Sequence, residues 1–396
     1  MMRIKLISFL KKHPHILKLC WFCAKLCLQL LYFFIPQKKT QVLFASFGGR
    51  NFNDSPKAIY DEMCRRKEFD NWHFVWAFVN PEKVSIPRGE KIRMDSPSFF
   101  IALLQSRIWI SNSCMDRDIC LNLKGVVKVE TWHGTPLKKI CGDEHQNAIG
   151  GRQNIRGPLD GKTIRCAQSE YDRDIFARIF HATKESFLLC DLPRNDELTT
   201  YSTSKINSIK ESLNIPNGKK IILYAPTYRE YLWDANGKNL IAPPIHLDKW
   251  KQNLESNYVL LFRAHYTIGT ALNILTDNFL IDVSKYPNLN DLYAISDMMI
   301  SDYSSCFFDY SILNRPMFCF AYDLEEYEEK RGLYLNLNDV LPCNIHSDEN
   351  TLLEDIKKVN IVGASRRTQN FHAKFAPHAG NASKKIVDEI SKRISL

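Results

Sequence analysis

The sequence Ser-Asp-Tyr-Ser-Ser at residues 301–305 combines groups that could bind a phosphate. It follows an apolar segment that is predicted to be a strand and precedes a run that is predicted to be a helix. Ser304 and Ser305 would then stand where the helix begins, where free backbone N–H groups and the positive end of the helix dipole favour anionic oxygens. A serine in this position can also do no more than cap its own helix. Both interpretations fit these residues.

A second cluster, Trp-His-Gly-Thr-Pro-Leu-Lys-Lys, occupies residues 132–139. An imidazole with a near-neutral pKa can take a proton from a hydroxyl group, and a lysine such as Lys138 can hold a phosphate. The glycine and proline fix the backbone instead of filling a core, which favours a functional His133. A structural or merely exposed loop histidine is the alternative.

Two further clusters supply cations. Arg263 and His265 are two residues apart, so on an extended chain both side chains point to one side, where they suit a pyrophosphate. An Arg263 that pairs with a surface carboxylate is the alternative. The segment Tyr-Ala-Pro-Thr-Tyr-Arg at residues 224–229 adds the hydroxyl of Thr227 and the guanidinium of Arg229.

Two carboxylates flank the serine turn. Asp302 could orient a hydroxyl or carry a proton, and Asp309 could pair with an arginine from its position on the helix. Because no Asp-x-Asp pair accompanies them, we expect no metal site and chemistry that is independent of metal or weakly assisted by a divalent cation such as Mg²⁺. The sequence also lacks the phosphate loop of nucleotide triphosphatases, the dinucleotide fingerprint and the G-x-S-x-G motif.

The elements that must position these clusters are apolar strands that alternate with helices. Strands are predicted at residues 41–46, 73–79, 108–111, 126–131, 163–168 and 186–190, and then at 220–225, 258–263, 279–283, 298–301 and 317–320. Such alternation predicts parallel sheets that are covered on both faces. In these sheets ligands bind beyond the carboxyl ends of the strands. The polar clusters follow the predicted strands at this position.

The domain organisation follows from a polar, turn-rich segment at residues 193–218, which is typical of a linker with a short helix at most. We expect two doubly wound α/β domains with a cleft between them, at residues 41–200 and 201–396. The last helix is a candidate to pack back on the first domain. A chain of 396 residues is long enough for two such domains and an N-terminal appendage.

Composition narrows the class of partner. The net charge of +9 indicates anionic partners. No basic patch with interleaved aromatic residues marks a nucleic-acid groove, so we expect no nucleic-acid partner. The 12 cysteines lack paired spacing, which is typical of core residues in a reducing compartment.

Residues 1–40 form the predicted appendage. The chain is strongly apolar from Ile16 to Ile35, and lysines recur every seven residues at Lys11, Lys18 and Lys25. This spacing favours a helix that lies in the inner-leaflet interface with its lysines toward anionic headgroups. A spanning helix would bury two lysines, and no cleavage site of a signal peptide follows. A helix that packs on the protein's own core is the alternative.

Seven motifs, in this order, closely resemble the CDP-glycerol glycerophosphotransferase family, the polymerases and primases of teichoic acid and related capsule polymers. The resemblance runs from about Phe44 to about Tyr334 and rests on residues 133–138, 192–196, 224–229, 263–265, 301–305, 308–310 and 331–332. It implies a GT-B-like fold of two Rossmann-type domains on the cytoplasmic face of the cell membrane, as a peripheral protein. The implied reaction moves glycerol phosphate or ribitol phosphate from CDP-glycerol or CDP-ribitol to a lipid-linked or polysaccharide hydroxyl, with release of CMP.

The resemblance also implies roles for the residues. His133 would be the base that activates the acceptor, and the expected catalytic set is His133, His265 and Asp302. The expected substrate contacts are Arg263, Thr227, Arg229, Ser301, Ser304, Ser305, Lys138, Arg194 and Asp309. Tyr228 and Tyr266 depart from the tryptophan and proline that are common in the family. A GT-B glycosyltransferase that uses a nucleotide sugar and a catalytically silent membrane scaffold are the alternative functions.

Overall fold

The first domain is built on a parallel β-sheet. The computed structural model describes residues 14–117, 119, 121–144, 163–227, 229, 243–264 and 276–395. Within these residues the spatial order reverses between the first and fourth strands, the switch point where doubly wound sheets bind ligands. The strands are β1 (Lys38–Ala45), β2 (His73–Phe78), β3 (Glu90–Arg93), β4 (Ser106–Ser111), β5 (Val127–Glu130), β6 (Thr163–Ala167) and β7 (Phe187–Leu189). Their order is β3-β2-β1-β4-β5-β6-β7, with parallel pairings.

The second domain repeats this plan. Its strands are β8 (Lys220–Tyr224), β9 (Tyr258–Phe262), β10 (Leu280–Asp282), β11 (Met298–Ser301), β12 (Met317–Phe320) and β13 (Ile345–His346). Their order is β10-β9-β8-β11-β12-β13, again with parallel pairings and a switch point, here between β8 and β11. The predicted α/β fold with two doubly wound parallel sheets is therefore confirmed.

Helices cover both sheets. Those that precede the second sheet are α1 (Pro14–Phe34), α2 (Asp54–Arg65), α3 (Pro97–Gln105), α4 (Glu170–Ile179) and α5 (Thr203–Ser212). The later helices are α6 (Leu247–Leu254), α7 (Leu289–Ile295), α8 (Cys306–Ser311), α9 (Leu324–Lys330), α10 (Leu337–Val340), α11 (Glu349–Lys358), α12 (Ile361–Phe375) and α13 (Ala382–Ser395). Helix α13 returns to the first domain, where Ile386, Val387 and Ile390 are fully buried in its core.

One local prediction needs correction. The linker at residues 193–218 is more ordered than expected, because it contains the 3-10 helix Pro193–Thr199 and helix α5. Helix α2 begins at Asp54, and Asn53 precedes it as the N-cap. The Asp54 carboxylate accepts a hydrogen bond from the N–H of Ser55 at 2.7 Å, so it satisfies a donor of the first turn.

Helix α1 packs partly on the first domain, which is the alternative that the sequence left open, and its placement in a membrane interface stays a prediction. Leu28 is buried, and Tyr32 packs with it against the core of the first domain. Other apolar side chains of the helix are exposed, among them Phe33 at 82% and Phe34 at 83%. Among the described residues, no helix has the length and apolar character needed to cross a bilayer. Lys11 and the side chain of Lys18 lie outside the described part of the chain.

Candidate functional site

The motif that contains His133 and the serine turn at residues 301–305 meet where the two domains touch. Gly134 follows β5, and a methyl group on its Cα would lie 2.8 Å from Ser305 Cβ and closer still to Ser305 Oγ. Its φ of +150° adds a second reason for glycine. The loop that carries His133 therefore lies directly against the serine turn of the other domain. We call this region the seam: residues 131–139 and 191–195 from the first domain, and residues 301–309 and 331–334 from the second.

Backbone hydrogen bonds extend the seam beyond this contact. Lys139 N donates to Gly332 O at 3.0 Å, and Tyr334 N donates to Leu137 O at 2.9 Å. The side chain of Arg331 donates to Lys139 O at 2.6 Å. The Arg-Gly motif at residues 331–332 thus holds the end of the His133 loop. Lys138, a predicted phosphate contact, is half-buried and forms an isolated antiparallel β-bridge with Leu333.

His133 has the tautomer that a general base needs. Its Nδ1 lies 3.0 Å from the backbone oxygen of Asn112, which can only accept, so Nδ1 carries the proton and Nε2 keeps its lone pair. The ring stacks on Trp132 with a centroid distance of 4.4 Å, and it remains exposed at the surface of the seam. Desolvation lowers the pKa of His133, with contributions in the same direction from Arg194 and Lys138 and opposition from the Asn112 hydrogen bond and Asp54. A lowered pKa keeps the imidazole neutral near pH 7.

Arg194 connects the two domains. Its Nη1 donates to Asp54 Oδ2 at 2.7 Å and to the backbone oxygen of His133 at 3.1 Å, and its Nη2 donates to Asp309 Oδ2 at 2.6 Å. The prediction that Asp309 pairs with an arginine is confirmed. Arg194 and Asp309 were also expected to contact substrate, and the structure adds protein partners for both.

A chain of buried polar groups lies behind the His133 loop, and sequence reasoning missed it. The Thr135 hydroxyl donates to Gln168 Oε1 at 2.8 Å and lies 3.1 Å from Asp172 Oδ2, and Gln168 Nε2 donates to Asp191 at 2.6 Å. Asn195 completes the chain by donating to Asp191 at 3.1 Å and to Asp309 at 2.8 Å.

Two carboxyl groups of this chain hold their protons unusually firmly. Desolvation raises the pKa of Asp172 to about 8 and the pKa of Asp191 to about 7, and nearby carboxylates add to both shifts. The usable sequence signal was their position. Gln168 and Asp191 follow β6 and β7 within two residues, at the same sheet edge as the recognised clusters.

On the second domain's side, Asp302 and Arg229 form a buried ion pair of 2.8 Å. Arg229 Nε also donates to Asp323 at 2.7 Å, and the guanidinium carbon lies 4.8 Å from the centre of the Tyr303 ring. Asp302 Oδ1 accepts from Thr227 N at 2.9 Å. These contacts fix the segments after β8 and β11 to each other, while Thr227 Oγ1 is buried without a hydrogen-bond partner among the described residues.

The remaining predicted residues surround this pair. Ser301 donates to Ala225 O at 2.8 Å, and Ser304 Oγ accepts from Cys306 N at 3.2 Å, so Ser304 also serves the start of α8. Arg263 donates to the backbone oxygens of Val283 and Tyr286, at 3.1 Å and 2.8 Å. Among the residues that the structure describes, these hydrogen-bond partners of Arg263 carry no charge, and desolvation lowers the pKa of Arg263.

Some predictions fall beyond these observations. His265, Tyr266 and Tyr228 lie outside the described residues, so the Arg-x-His pair and the two departures from the family pattern stay predictions. The part of the chain that the structure describes contains no group of three His, Cys, Asp or Glu side chains that could hold a metal ion.

Comparison with known proteins gives concordant matches. The family described as CDP-glycerol:poly(glycerophosphate) glycerophosphotransferase matches residues 28–392. A teichoic acid poly(glycerol phosphate) polymerase of Staphylococcus epidermidis is 35% identical over 372 residues, 90% of this chain and 51% of that protein. A teichoic acid glycerol-phosphate transferase of Staphylococcus aureus is 32% identical over 372 residues, 89% of this chain and 93% of that protein. The chain thus spans about half of the first relative and nearly all of the second.

A solved structure gives the same result for the fold. The wall teichoic acid polymerase TagF, in a variant soaked with CDPG, superimposes with a TM-score of 0.80 at 33% identity. The match covers 91% of this chain and 90% of that one. It confirms the predicted GT-B-like arrangement of the two domains.

Proposed function

The chain belongs to the CDP-glycerol:poly(glycerophosphate) glycerophosphotransferase family, and from this premise we propose that it transfers an alditol phosphate from a CDP-alditol to a polymer hydroxyl. The donor is CDP-glycerol or CDP-ribitol. The acceptor is a lipid-linked or capsular chain in teichoic acid or capsule synthesis, and the other product is CMP. No observation favours a nucleotide sugar as the donor.

The contact between Gly134 and Ser305 carries the proposal. It brings a neutral imidazole from one sheet to the serine turn of the other, and both follow strands at the edges where ligands bind. The chemistry needs this combination, since one side must accept a proton from the incoming hydroxyl and the other must hold a diphosphate. Arg263 supports the second role because its charge is not neutralised by its protein partners.

The reaction follows from the tautomer of His133. Nε2 takes the proton of the acceptor hydroxyl while the hydroxyl oxygen attacks the phosphorus that bears the alditol. A new P–O bond forms, and the bond from that phosphorus to the bridging oxygen breaks. CMP leaves with the electron pair, and the imidazolium returns its proton to water. His265 and Arg263 stabilise the charge that develops on the leaving phosphate.

We place the protein on the cytoplasmic face of the membrane as a peripheral protein. The exposed apolar side chains of α1, such as Phe33 and Phe34, support this placement because they are next to a helix face that is already packed on the first domain. A membrane-bound acceptor would then be presented near the enzyme. The net charge of +9 favours an anionic surface.

A donor panel tests the proposal. The full chain is incubated with a lipid-linked acceptor and with CDP-glycerol, CDP-ribitol or nucleotide sugars, and the released nucleotide is measured. We expect acceptor-dependent CMP release from a CDP-alditol, lowered by about 10²–10⁴ in His133→Ala. His73→Ala, at the exposed start of β2, is the matched histidine control and should keep the wild-type rate. Consumption of a nucleotide sugar instead would establish the glycosyltransferase alternative.

A further inference from the structure

We infer that Arg194 is a positioning residue for His133, which it holds in place by joining a carboxylate of each domain to the backbone of the base. This inference rests on the proposed function, in which His133 accepts the proton. It replaces direct donor binding as the main role of Arg194. The arginine acts through the His133 loop and not on the substrate.

The three hydrogen-bond partners of the side chain leave its guanidinium one orientation. Asp54 comes from the first turn of α2, Asp309 comes from α8 in the second domain, and the backbone oxygen of His133 lies between them. The arginine side chain is 14% exposed, and the two carboxylates are 7% and 4% exposed. The planar guanidinium group holds its N–H donors in the fixed geometry that these three acceptors need, whereas the compact ammonium group of a lysine does not.

The backbone of Arg194 is also held from both domains. Its N–H donates to Ser55 Oγ at 3.4 Å, and its carbonyl oxygen accepts from Asn290 Nδ2 at 2.7 Å. Ser55 belongs to α2, and Asn290 belongs to α7 of the second domain. The residue is therefore fixed along its whole length, and a change in the distance between the domains would be transmitted to the His133 carbonyl.

The charges near His133 give this arrangement a specific signature. The groups that face the imidazole are Asp54, Arg194, Lys138 and the Asn112 carbonyl. Loss of the Arg194 cation would raise the pKa of His133, and loss of the Asp54 carboxylate would lower it further. Two members of one ion pair should thus shift the same titration in opposite directions. A substitution that acts only through the overall stability of the fold would not produce opposite shifts.

The experiment compares Arg194→Met, Arg194→Lys and Asp54→Asn with Arg66→Met in the full chain. Arg66 is the matched control, because it also bridges two carboxylates, Glu62 and Asp388, but at the far end of α2. Acceptor-dependent CMP release from CDP-glycerol is measured as kcat and KM across pH. The titration of the His133 ring is followed independently by NMR of histidine-labelled protein, with His133→Gln for assignment.

For Arg194→Met we expect kcat to fall by about 10²-fold, because a small misplacement of a reacting group has an effect of this size. The KM for the donor should change little, and Arg194→Lys should recover part of the loss. The acidic limb of kcat/KM should move to higher pH in Arg194→Met and to lower pH in Asp54→Asn. Arg66→Met should leave the acidic limb of kcat/KM at the wild-type position.

Several results would overturn the inference. A raised donor KM with unchanged kcat in Arg194→Met would show direct substrate binding, and an equal loss in Arg66→Met would show a general stability effect. Shifts of the His133 titration in one direction for both Arg194→Met and Asp54→Asn would also contradict it. If Arg194→Met does not fold, Arg194→Lys and Asp54→Asn carry the same test. A wild-type chain that releases no CMP would refute the proposed function, while the NMR titration would still decide the position of Arg194.

Discussion

On the first domain's side of the seam, His133 stays exposed above a chain of buried carboxyl groups, two of which have raised pKa values. On the second domain's side, Arg229 pairs with both Asp302 and Asp323 inside the protein. The first side therefore contains carboxyl groups with raised pKa values, whereas the second fixes its loops with a buried ion pair. One site thus uses buried polar groups for two separate purposes.

The largest effect on stability is expected at the buried ion pairs of Arg229. Arg229→Met would leave Asp302 and Asp323 without their shared cation, and breaking such a pair costs about 3–5 kcal/mol. The free energy of unfolding, measured in urea, should fall by that amount. A loss below about 1 kcal/mol would show that the second side does not depend on this pairing.

A methyl group in the seam should have the next largest effect. Gly134→Ala would press on Ser305, and overpacking of this kind costs about 1–3 kcal/mol. Ser305→Gly should restore part of the stability, because it removes the atoms that clash. Gly218→Ala is the control, since Gly218 also has a positive φ but nothing lies within 4 Å of the added methyl group. Equal losses in the two alanine variants would mean that backbone strain, and not the seam contact, is responsible.

The raised pKa of Asp172 should be visible in the pH dependence of the free energy of unfolding. In the folded protein Asp172 keeps its proton up to a pKa of about 8, whereas its ordinary value is 3.8. Its contribution to stability is complete below pH 3.8 and is lost as pH rises toward about 8. The free energy of unfolding of Asp172→Asn should therefore fall less steeply than that of the wild type across this window. Parallel curves from urea unfolding at several pH values would contradict the shift.

The smallest effect is expected at an exposed ion pair on the helix that carries Asp54. Lys57 and Asp61 lie 2.6 Å apart and are 39% and 41% exposed. Lys57→Met should change the free energy of unfolding by less than about 0.5 kcal/mol, because solvent screens such pairs. A larger loss would show that α2 is sensitive to substitution as a whole, which would weaken the contrast with the seam.

The sequence allowed most of the strands and half of the seam to be anticipated. Apolar segments marked the long strands, and the rule for carboxyl ends brought His133 and the serine turn toward one edge. Strands β3 and β13 were missed because they are short and β3 buries only one of its four residues, which leaves no alternation to recognise.

The tie made by Arg194 could not be anticipated. Its partner Asp309 is 115 residues away, and the length of the side chain and the angle between the domains decide whether the two meet. The prediction for residues 193–218 underestimated the order of this linker for a related reason. A polar, turn-rich composition is typical of a solvated linker, but it fits equally well a segment that packs between two domains. Asn195 in this segment is fully buried. Asp172 and Asp191 carry no motif, and their burial depends on the assembled sheet.

The return of α13 to the first domain has a consequence for the order in which the protein can mature. Ala382, Ile386, Val387 and Ile390 complete a core whose other buried members lie between residues 42 and 192. During synthesis, the N-terminal half must wait with an open hydrophobic face until residues 382–395 have left the ribosome. A nascent chain of this protein therefore completes the core of its first domain only after the second domain has been synthesised.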